Sequence, residues 1–242
     1  MKMSNNIYFD FRDKNVIVFG GSRGIGREIC NQFSLSGANV YNASRTECDI
    51  STSSIKNFTC DISKSNQIQA VFDSLDRVDF VINVAGTNLC TSIDNIEESE
   101  WDRLMNVNLK SFFLICKMAV EKMKKQNFGR IVNISSIAGR NKSIVSGVHY
   151  TSSKYGIVGL TKQLANETSK YNILVNCVCP SQTMTEMLQQ SMTEEEIEQL
   201  ENKIPIGRIA STKEQSLPVL FLCSDAASYI TGTALDVNGG QL

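Results

Sequence analysis

Short apolar runs alternate with longer segments of helical periodicity along the whole sequence, and this alternation restricts the fold more than any other feature. The runs predicted as strands are residues 16–19, 39–43, 58–60, 80–83, 131–134, 174–178 and 234–237. The segments between them include predicted helices over 101–123 and after residue 150, where apolar side chains recur every three or four positions. With only 3 prolines and no low-complexity linker, residues 1–242 are expected to form one α/β domain. Its core would be a doubly wound parallel sheet with helices on both faces.

A glycine-rich turn, VFGGSRGIG over residues 18–26, comes directly after the first predicted strand. Gly20 would permit a tight turn, while Gly24 and Gly26 would let the backbone approach a ligand and let the next helix pack on the strand. Free N–H groups and the dipole at the start of that helix favour a phosphate. The turn therefore indicates a Rossmann-type site for a pyrophosphate, although an ordinary strand-to-helix turn explains an isolated glycine cluster about equally well.

Charge and cysteine content disfavour several classes of function. Lysine plus arginine number 24 against 25 for aspartate plus glutamate, so no broad basic surface for nucleic acid or an anionic membrane is expected. The eight cysteines include no C-x-x-C pair, which disfavours a zinc or disulfide framework and predicts reduced, mostly buried thiols. Neither a signal-peptide pattern nor an apolar stretch of membrane length is evident. We therefore expect a soluble cytoplasmic protein that acts on a small molecule and holds no metal.

Tyr150 and Lys154 are four residues apart on a predicted helix, so their side chains project from the same face. A phenol with a pKa near ~10 is a poor base at neutral pH, but an adjacent ammonium favours the phenolate and is expected to lower that pKa. Ser136 follows a predicted strand, and its hydroxyl could stabilise developing charge on a substrate oxygen. A surface pair on the helix and a serine that caps a turn are the alternatives.

His149, the only histidine, adjoins Tyr150 and titrates near neutral pH, which suggests a general base. Consecutive residues of a helix point about 100° apart, however, so the two side chains diverge. We therefore reject His149 as an essential base and expect it to line the substrate entrance or an oligomer contact.

Further motifs occur in a fixed order along the chain. They are CDIS at 60–63, NVAG at 83–86, NVNLKSFF at 106–113, NISSIAG at 133–139, YTSSK at 150–154, CVCPSQTMTEM at 177–187 and ITGTALDVNGG at 230–240. Their order and spacing resemble the short-chain dehydrogenase/reductase family from end to end, and within it the 3-oxoacyl-[acyl-carrier-protein] reductase-like members. The resemblance implies a nicotinamide-dependent oxidoreductase that interconverts a carbonyl and a secondary alcohol on a small molecule. It also implies a homotetramer.

The resemblance assigns catalytic roles to Asn108, Ser136, Tyr150 and Lys154. Tyr150 would be the acid/base, Ser136 would bind the substrate oxygen, Lys154 would also reach the nicotinamide ribose, and Asn108 would hold a proton-relay water. Ser136 is chosen over Ser135 because the family serine precedes a small apolar pair and a glycine. The residues implied to bind the cofactor are Gly20, Ser22, Arg23, Gly24, Ile25, Gly26, Ser44, Arg45, Asp61, Ile62, Asn83, Ala85, Gly86, Tyr150, Lys154, Pro180, Thr183 and Thr185.

The chain departs from the family pattern at several positions. Phe19 stands where threonine is usual, Val84 replaces an asparagine, Ser181 replaces the glycine after proline, and Asn238 replaces an aspartate. Ser181 matters most, because a glycine there often gives backbone freedom beside the nicotinamide. The span 45–61 is also short for the helix that normally joins the second and third strands. We expect that helix to be truncated or replaced by a loop.

Cofactor preference depends on the end of the second strand, where NAD-selective dinucleotide folds place an acid that binds the ribose hydroxyls. Ser44 occupies this position, Arg45 follows it, and Arg23 lies within the glycine turn. Two guanidiniums beside a 2′-phosphate would make charge-assisted bonds. We therefore expect NADP(H) to be preferred, with reduction as the direction and NAD(H) still possible. Two solvated surface arginines are the alternative.

The segment 184–206 is predicted to be a substrate lid. Met184, Met187, Leu188 and Met192 are soft apolar groups that could close over a ligand, although an amphipathic surface helix explains the same pattern nearly as well. No arginine cluster marks a polyanionic carrier, so the substrate stays unspecified. A catalytically silent dinucleotide-binding scaffold or sensor is the alternative to an enzyme, and the intact serine, tyrosine and lysine of the predicted site disfavour it.

Overall fold

The computed structural model describes residues 9–50, 55–143 and 145–242. Its strands are β1 (Asn15–Phe19), β2 (Asn39–Ser44), β3 (Ile55–Thr59), β4 (Phe80–Asn83), β5 (Gly129–Ile134), β6 (Ile173–Pro180), β7 (Thr183–Met184), β8 (Ala210–Ser211) and β9 (Ala234–Val237). Its α-helices are α1 (Gly24–Leu35), α2 (Ser65–Asp73), α3 (Glu98–Met105), α4 (Ser111–Gln126), α5 (Val148–Thr168), α6 (Glu186–Ser191), α7 (Glu194–Glu201) and α8 (Thr212–Cys223). A π-helical turn, Asn106–Lys110, joins α3 to α4.

Seven of the strands form one parallel sheet in the order β3-β2-β1-β4-β5-β6-β9. The order reverses between β1 and β4, so the connections that leave these two strands diverge and open a crevice at the carboxyl edge of the sheet. β7 and β8 form a separate two-stranded ladder. The predicted doubly wound Rossmann-type sheet is confirmed.

Both faces of the sheet are covered, and β1 shows how alternate residues divide between the two layers. Ile17 and Phe19 join a core that includes residues of α2, α4 and α5, while Val16 and Val18 join one that includes residues of α1 and α8. Successive strand side chains point to opposite faces, so an unbroken apolar run can fill both layers. Because the faces are occupied by helices, the strand ends and their loops are where a ligand can be bound.

Two local differences from the sequence predictions have structural reasons, and a third feature agrees with its prediction in the described residues. The third strand begins at Ile55, earlier than predicted, because it pairs with β2 from Val40 onward. The helix predicted over 101–123 is divided into α3 and α4 by the π-helical turn. Residues 45–50 contain no helix, in agreement with the expected replacement of that helix by a loop, and residues 51–54 lie outside the described part.

The predicted lid segment contains β7, α6 and α7. Met184 and Met192 are partly buried, whereas the side chain of Met187 lies outside the described residues. Closure of this segment over a ligand stays a prediction.

All eight cysteines are free, and seven of them are buried, with Cys90 the exposed exception. Within the described ranges, no helix combines the length and the apolar character needed to cross a membrane.

Candidate active site

The glycine turn after β1 is shaped by contacts that leave no room for side chains. Gly20 has a φ of 98°, and a Cβ built on it would lie 2.5 Å from the backbone nitrogen of Ala85. A Cβ on Gly26 would lie 2.0 Å from the carbonyl oxygen of Gly20, so the start of α1 packs directly on the turn. Gly24 has a φ of 53° and lies opposite Thr185, whose Cγ2 would be 3.4 Å from an added Cβ. This bare backbone at a helix N-terminus fits the diphosphate of a dinucleotide.

The non-glycine residues of the turn differ in how exposed their side chains are. Ser22 and Ile25 are partly buried, and Ile25 packs against the core layer that contains α1. Arg23 is exposed immediately before α1. The turn is held from beneath by the Gly21 N–H, which donates to Asn42 Oδ1 at 3.0 Å.

Asn42 is a functional candidate that the sequence reasoning missed. It is fully buried on β2, and its Oδ1 also accepts a bond of 2.7 Å from the Ser44 hydroxyl. Its Nδ2 donates to Asn57 Oδ1 on β3 at 2.8 Å. Asn42 therefore fixes the glycine turn relative to the ends of β2 and β3. A polar amide inside an apolar strand was the available signal, because a buried amide requires partners.

The end of β2 carries the residues expected to select the cofactor. Ser44 is buried, and its hydroxyl donates to Asn42 Oδ1. Arg45, the next residue, is exposed. Since β1 and β2 are adjacent and parallel, Arg45 and Arg23 both lie at the carboxyl edge of the sheet. Neither arginine forms an ion pair with a residue in the described ranges. The edge therefore offers two solvated guanidiniums and no carboxylate at position 44.

Asp61 and Ile62 follow β3. Asp61 is partly buried at the edge of the sheet, whereas the Ile62 side chain lies in the core. Hydrogen bonds from the backbone and side chain of Ser63 lower the pKa of the Asp61 carboxyl, so it is ionised at neutral pH. Its N–H donates to Gln67 Oε1 at 2.7 Å, which ties the loop to α2. Ile62 is buried in the core. Asp61 is thus a candidate contact for the adenine end, whereas the Ile62 side chain belongs to the core.

The segment after β4 adjoins both the glycine turn and the catalytic candidates. The Asn83 side chain is fully buried and donates to Asn133 Oδ1 at 2.8 Å, so it supports the central strands from within the core. Ala85 N–H donates to the Phe19 carbonyl at 2.9 Å, which brings this segment against Gly20. Gly86 is exposed, and a Cβ on it would lie 3.8 Å from Lys154 Nζ.

Tyr150 and Lys154 meet on α5, as their spacing predicts. The Lys154 ammonium is 5.5 Å from the centroid of the Tyr150 ring and donates to the Ile134 carbonyl at 3.1 Å. Lys154 is only 4% exposed, and this burial lowers its pKa to about 8. Burial likewise raises the pKa of the Tyr150 phenol, and a hydrogen bond with the Ser136 side chain opposes that shift.

The expectation that Lys154 lowers the pKa of Tyr150 is therefore wrong for this structure. Desolvation of the partly buried phenol is the dominant effect, because it disfavours the charged phenolate. At neutral pH the phenol keeps its proton, which leaves Tyr150 ready to donate.

The two neighbouring serines have different roles. Ser135 is buried, and its hydroxyl donates to the Lys154 backbone carbonyl at 2.9 Å, so it fastens α5 to the end of β5. Ser136 is partly buried, accepts from Ala138 N–H at 3.1 Å and hydrogen-bonds with Tyr150. The Ser136 hydroxyl therefore lies beside the Tyr150 phenol.

Asn108 lies in the π-helical turn and is fully buried. Its Oδ1 accepts from Thr87 N–H at 2.8 Å, and its Nδ2 donates to the Thr87 carbonyl at 2.8 Å and to Ser153 Oγ at 3.3 Å. The side chain thus connects the segment after β4 to α5, close to Lys154. π-Helical turns inside α-helices are frequent at functional sites.

His149 does not line an entrance or an external surface, so that prediction is wrong. Its side chain is fully buried, with Nε2 2.9 Å from Glu100 Oε1 and Nδ1 accepting the Tyr150 N–H at 3.0 Å. Hydrogen bonds from Thr91 and His149 lower the pKa of the Glu100 carboxyl. His149 therefore ties the first turn of α5 to α3.

Residues after β6 complete the crevice. Pro180 is buried at the end of β6, and Thr183 donates through its hydroxyl to the Ser181 carbonyl at 3.0 Å. Thr185 caps α6 by accepting from Leu188 N–H at 3.3 Å. Among the described residues, three non-glycine positions have a positive φ, and Ser181 is not one of them. Serine at position 181 is therefore accommodated without backbone strain.

Known proteins match nearly the full length of the chain. The family whose model is described as enoyl-(acyl carrier protein) reductase matches residues 20–241. The 3-oxoacyl-[acyl-carrier-protein] reductase FabG of Aquifex aeolicus is 35% identical over 240 residues, which cover 93% of this chain and 96% of the relative. Dehydrogenase/reductase SDR family member 6 of Aquarana catesbeiana is 32% identical, covering 94% and 96%.

A solved structure extends this similarity to a nucleotide complex. A Tyr-to-Phe variant of ElxO with NADPH bound superposes with a TM-score of 0.88 at 27% identity, covering 94% of this chain and 98% of that one. The glycine turn from Gly20 onward, the end of β2 and the Ser136, Tyr150 and Lys154 cluster lie within the residues that the family model matches.

Proposed function

The chain belongs to the short-chain dehydrogenase/reductase family, and we propose on this basis that it is an NADP(H)-dependent reductase of a small-molecule carbonyl. Enzymes of this family are nicotinamide-dependent oxidoreductases. The observation that carries the proposal is the cluster at the carboxyl edge of the sheet, where Ser136 hydrogen-bonds with Tyr150 and the Lys154 ammonium is 5.5 Å from the Tyr150 ring. A protonated phenol beside a second hydroxyl suits proton donation to a carbonyl oxygen.

Each residue of the cluster has a proposed role. Ser136 binds the substrate oxygen and stabilises the negative charge that develops on it. Tyr150 donates its proton to that oxygen, and its raised pKa keeps the proton available at neutral pH. Lys154 binds the nicotinamide ribose and, when charged, stabilises the phenolate that remains. Asn108 orders the segment through which a proton-relay water returns the proton.

The cofactor would be held by residues of the same crevice. The glycine turn and Thr185 opposite it, together with Thr183, would bind the diphosphate and the nicotinamide end, and Asp61 with the main chain of residues 83–86 would bind the adenosine and the riboses. When bound, the nicotinamide supplies the hydride. The protein supplies orientation, a proton and exclusion of water.

A preference for NADPH over NADH follows from the charges at the end of β2. An acid at this point would repel a 2′-phosphate, and Ser44 carries no charge. Arg23 and Arg45 are exposed and lack ion-pair partners among the described residues, so a 2′-phosphate would meet two available guanidiniums. In an NADH complex both would face water.

We expect kcat/KM to be higher with NADPH than with NADH, and Arg45→Ala to lower the NADPH to NADH ratio by about tenfold through loss of one charge-assisted phosphate contact. Ser44→Asp should lower it further by adding a repulsive charge. Steady-state kinetics with both cofactors measure the ratio. Arg12→Ala, an exposed arginine before β1 at the opposite edge of the sheet, is the matched control. A ratio below one in the wild type, or one insensitive to both substitutions, would refute the preference.

The reaction itself is tested with a panel of small ketones, aldehydes and secondary alcohols, scored by nicotinamide absorbance. Turnover of any one of these substrate classes would support the proposal that the protein is a carbonyl reductase. Tight NADPH binding with no turnover of any member would instead favour a scaffold or sensor that has kept the fold.

Ser136 and Ser135 provide a matched pair for testing the site. Ser136→Ala is expected to lower kcat by about 10²-fold, because it removes a hydroxyl that would contact the substrate oxygen. Ser135→Ala should cost about 1 kcal/mol of unfolding free energy, since it removes a buried bond to Lys154, and should affect kcat less. Equal losses of kcat in the two variants would contradict the assignment of Ser136.

A homotetramer is also part of the proposal. Phe113 on α4 and Val148 and Tyr155 on α5 are exposed apolar residues, and Tyr229 and Leu242 are exposed near the end of the chain. Such surfaces are usually covered by closed, symmetric assembly. Light scattering should give four times the mass of one chain at micromolar concentration. A monomer would refute this assembly, and a dimer would show that only one of the two surfaces is used.

A further inference from the structure

Cys30 on α1 and Cys48 in the loop after β2 meet beneath the glycine turn. Cys30 is fully buried on α1, and a Cβ built on Gly21 would lie 2.4 Å from its sulfur. Cys48 lies in the loop after β2, where it is 4% exposed between exposed neighbours on both sides. Both thiols belong to the core layer that contains α1.

Direct contacts hold this loop against α1. Arg27, one turn before Cys30 on α1, forms an ion pair of 2.7 Å with Asp49, the residue after Cys48. The Cys48 N–H donates to Asn57 Oδ1 at 2.9 Å, which anchors the loop to β3. The two anchors bring Cys48 to the side of the helix that carries Cys30.

The environment of the two thiols differs. A hydrogen bond with Cys30 lowers the pKa of Cys48 to about 7, and the charge of Arg27 acts in the same direction. The pKa of the Cys30 thiol is raised by the same hydrogen bond and by burial. A thiol of lowered pKa next to a thiol that keeps its proton is the arrangement of an attacking and a resolving cysteine.

We propose that Cys30 and Cys48 form a reversible disulfide that weakens NADPH binding, a consequence that rests on the proposed function. The Cys48 thiolate attacks one sulfur of a low-molecular-weight disulfide and expels one thiolate. Cys30 then loses its proton, attacks the Cys48 sulfur of the mixed disulfide and expels the second thiolate. The two protein thiols are oxidised, and the small disulfide is reduced to two thiols.

A hydrogen-bonded path connects this pair to the nucleotide site. Cys48 N–H and Asn42 Nδ2 both donate to Asn57 Oδ1, and Asn42 Oδ1 accepts from Gly21 N–H and the Ser44 hydroxyl. A disulfide draws its sulfurs to about 2.05 Å, well inside the contact distance of two thiols. The loop must move toward α1, and Arg45, three residues before Cys48, moves with it. The oxidised protein should therefore hold the 2′-phosphate less tightly.

The test uses the full chain with Cys90→Ser as the background, since Cys90 is the exposed cysteine and would otherwise react. The protein is incubated with glutathione disulfide, alkylated and mapped by mass spectrometry, and NADPH affinity is measured by fluorescence titration before and after oxidation. We expect a Cys30–Cys48 disulfide, about a tenfold loss of NADPH affinity, and full recovery with dithiothreitol.

Cys48→Ser and Cys48→Ala in the same background should form no internal disulfide and keep their affinity after the same treatment, with folding verified by circular dichroism. Absence of the disulfide, an unchanged affinity after it forms, or an equal loss in the Cys48 variants would overturn the inference. Peptide mapping detects the disulfide whether or not NADPH binds. Reduced protein that fails to bind NADPH would therefore count against the proposed function alone.

Discussion

Tyr150→Phe is expected to lower kcat by about 10²–10⁴-fold, because it removes the proton donor and keeps the ring. The Tyr150 side chain is partly buried, and the variant keeps the packing of its ring and the His149 bond to the Tyr150 backbone. Folding and NADPH affinity should therefore stay close to those of the wild type. Steady-state kinetics together with a fluorescence titration of NADPH separate the two effects.

Tyr155→Phe is the matched control for this prediction. Tyr155 lies on the same helix but is 48% exposed in the single chain, on the surface proposed to pack in the tetramer, and its hydroxyl has no proposed role in the reaction. Its substitution should leave kcat within about twofold, as surface changes usually do. Wild-type turnover in Tyr150→Phe would refute the assignment of Tyr150 as proton donor, and an equal loss in Tyr155→Phe would show that the effect is not specific to it.

Lys154→Met is expected to lower kcat by a comparably large factor. Unlike most substitutions of a buried residue, it should also raise the free energy of unfolding. The variant loses the ammonium that stabilises the phenolate and contacts the ribose, so kcat should fall by about 10²-fold or more and the Kd for NADPH should rise. Methionine has a similar length and no charge. It can occupy the buried site next to Phe112 and Tyr150 without the cost of desolvating an ammonium.

The pH dependence of that stability effect follows from the lowered pKa of Lys154. Burial lowers this pKa from 10.5 to about 8, so the unfolded chain binds the lysine proton more tightly than the folded chain. Below pH 8 the folded protein bears the full cost of burying the charge. Between pH 8 and 10.5 the folded form releases the proton first, and wild-type stability rises with pH. Above 10.5 the cost is absent.

Lys154→Met should therefore raise the unfolding free energy by about 1 kcal/mol at pH 7, after the lost bond to the Ile134 carbonyl is subtracted from the relieved desolvation. The gain should shrink as pH rises from 8 to 10.5. Urea denaturation at several pH values measures it. A variant that is less stable at pH 7, or that is fully active, would contradict the view that an unfavourable buried charge is kept for catalysis.

The sequence predicted the fold, and the spacing of several candidate site residues, because these depend on local patterns. Short apolar runs separated by helical segments predict parallel strands, and the i, i+4 spacing of Tyr150 and Lys154 places them on one helix face wherever that helix packs. Gly20 needs a positive φ that other residues rarely adopt, so the turn is visible in the sequence before any contact is known.

Only the tertiary structure decided the properties that depend on what surrounds a residue. Burial, and not the nearby lysine, sets the direction of the Tyr150 pKa, and the Glu100 contact places His149 inside the protein instead of at an entrance. The contact of Cys30 with Cys48 and the role of Asn42 beneath the glycine turn join residues of different elements. Local periodicity is encoded by neighbours along the chain. Desolvation and side-chain pairing arise instead from segments that meet only when the chain folds.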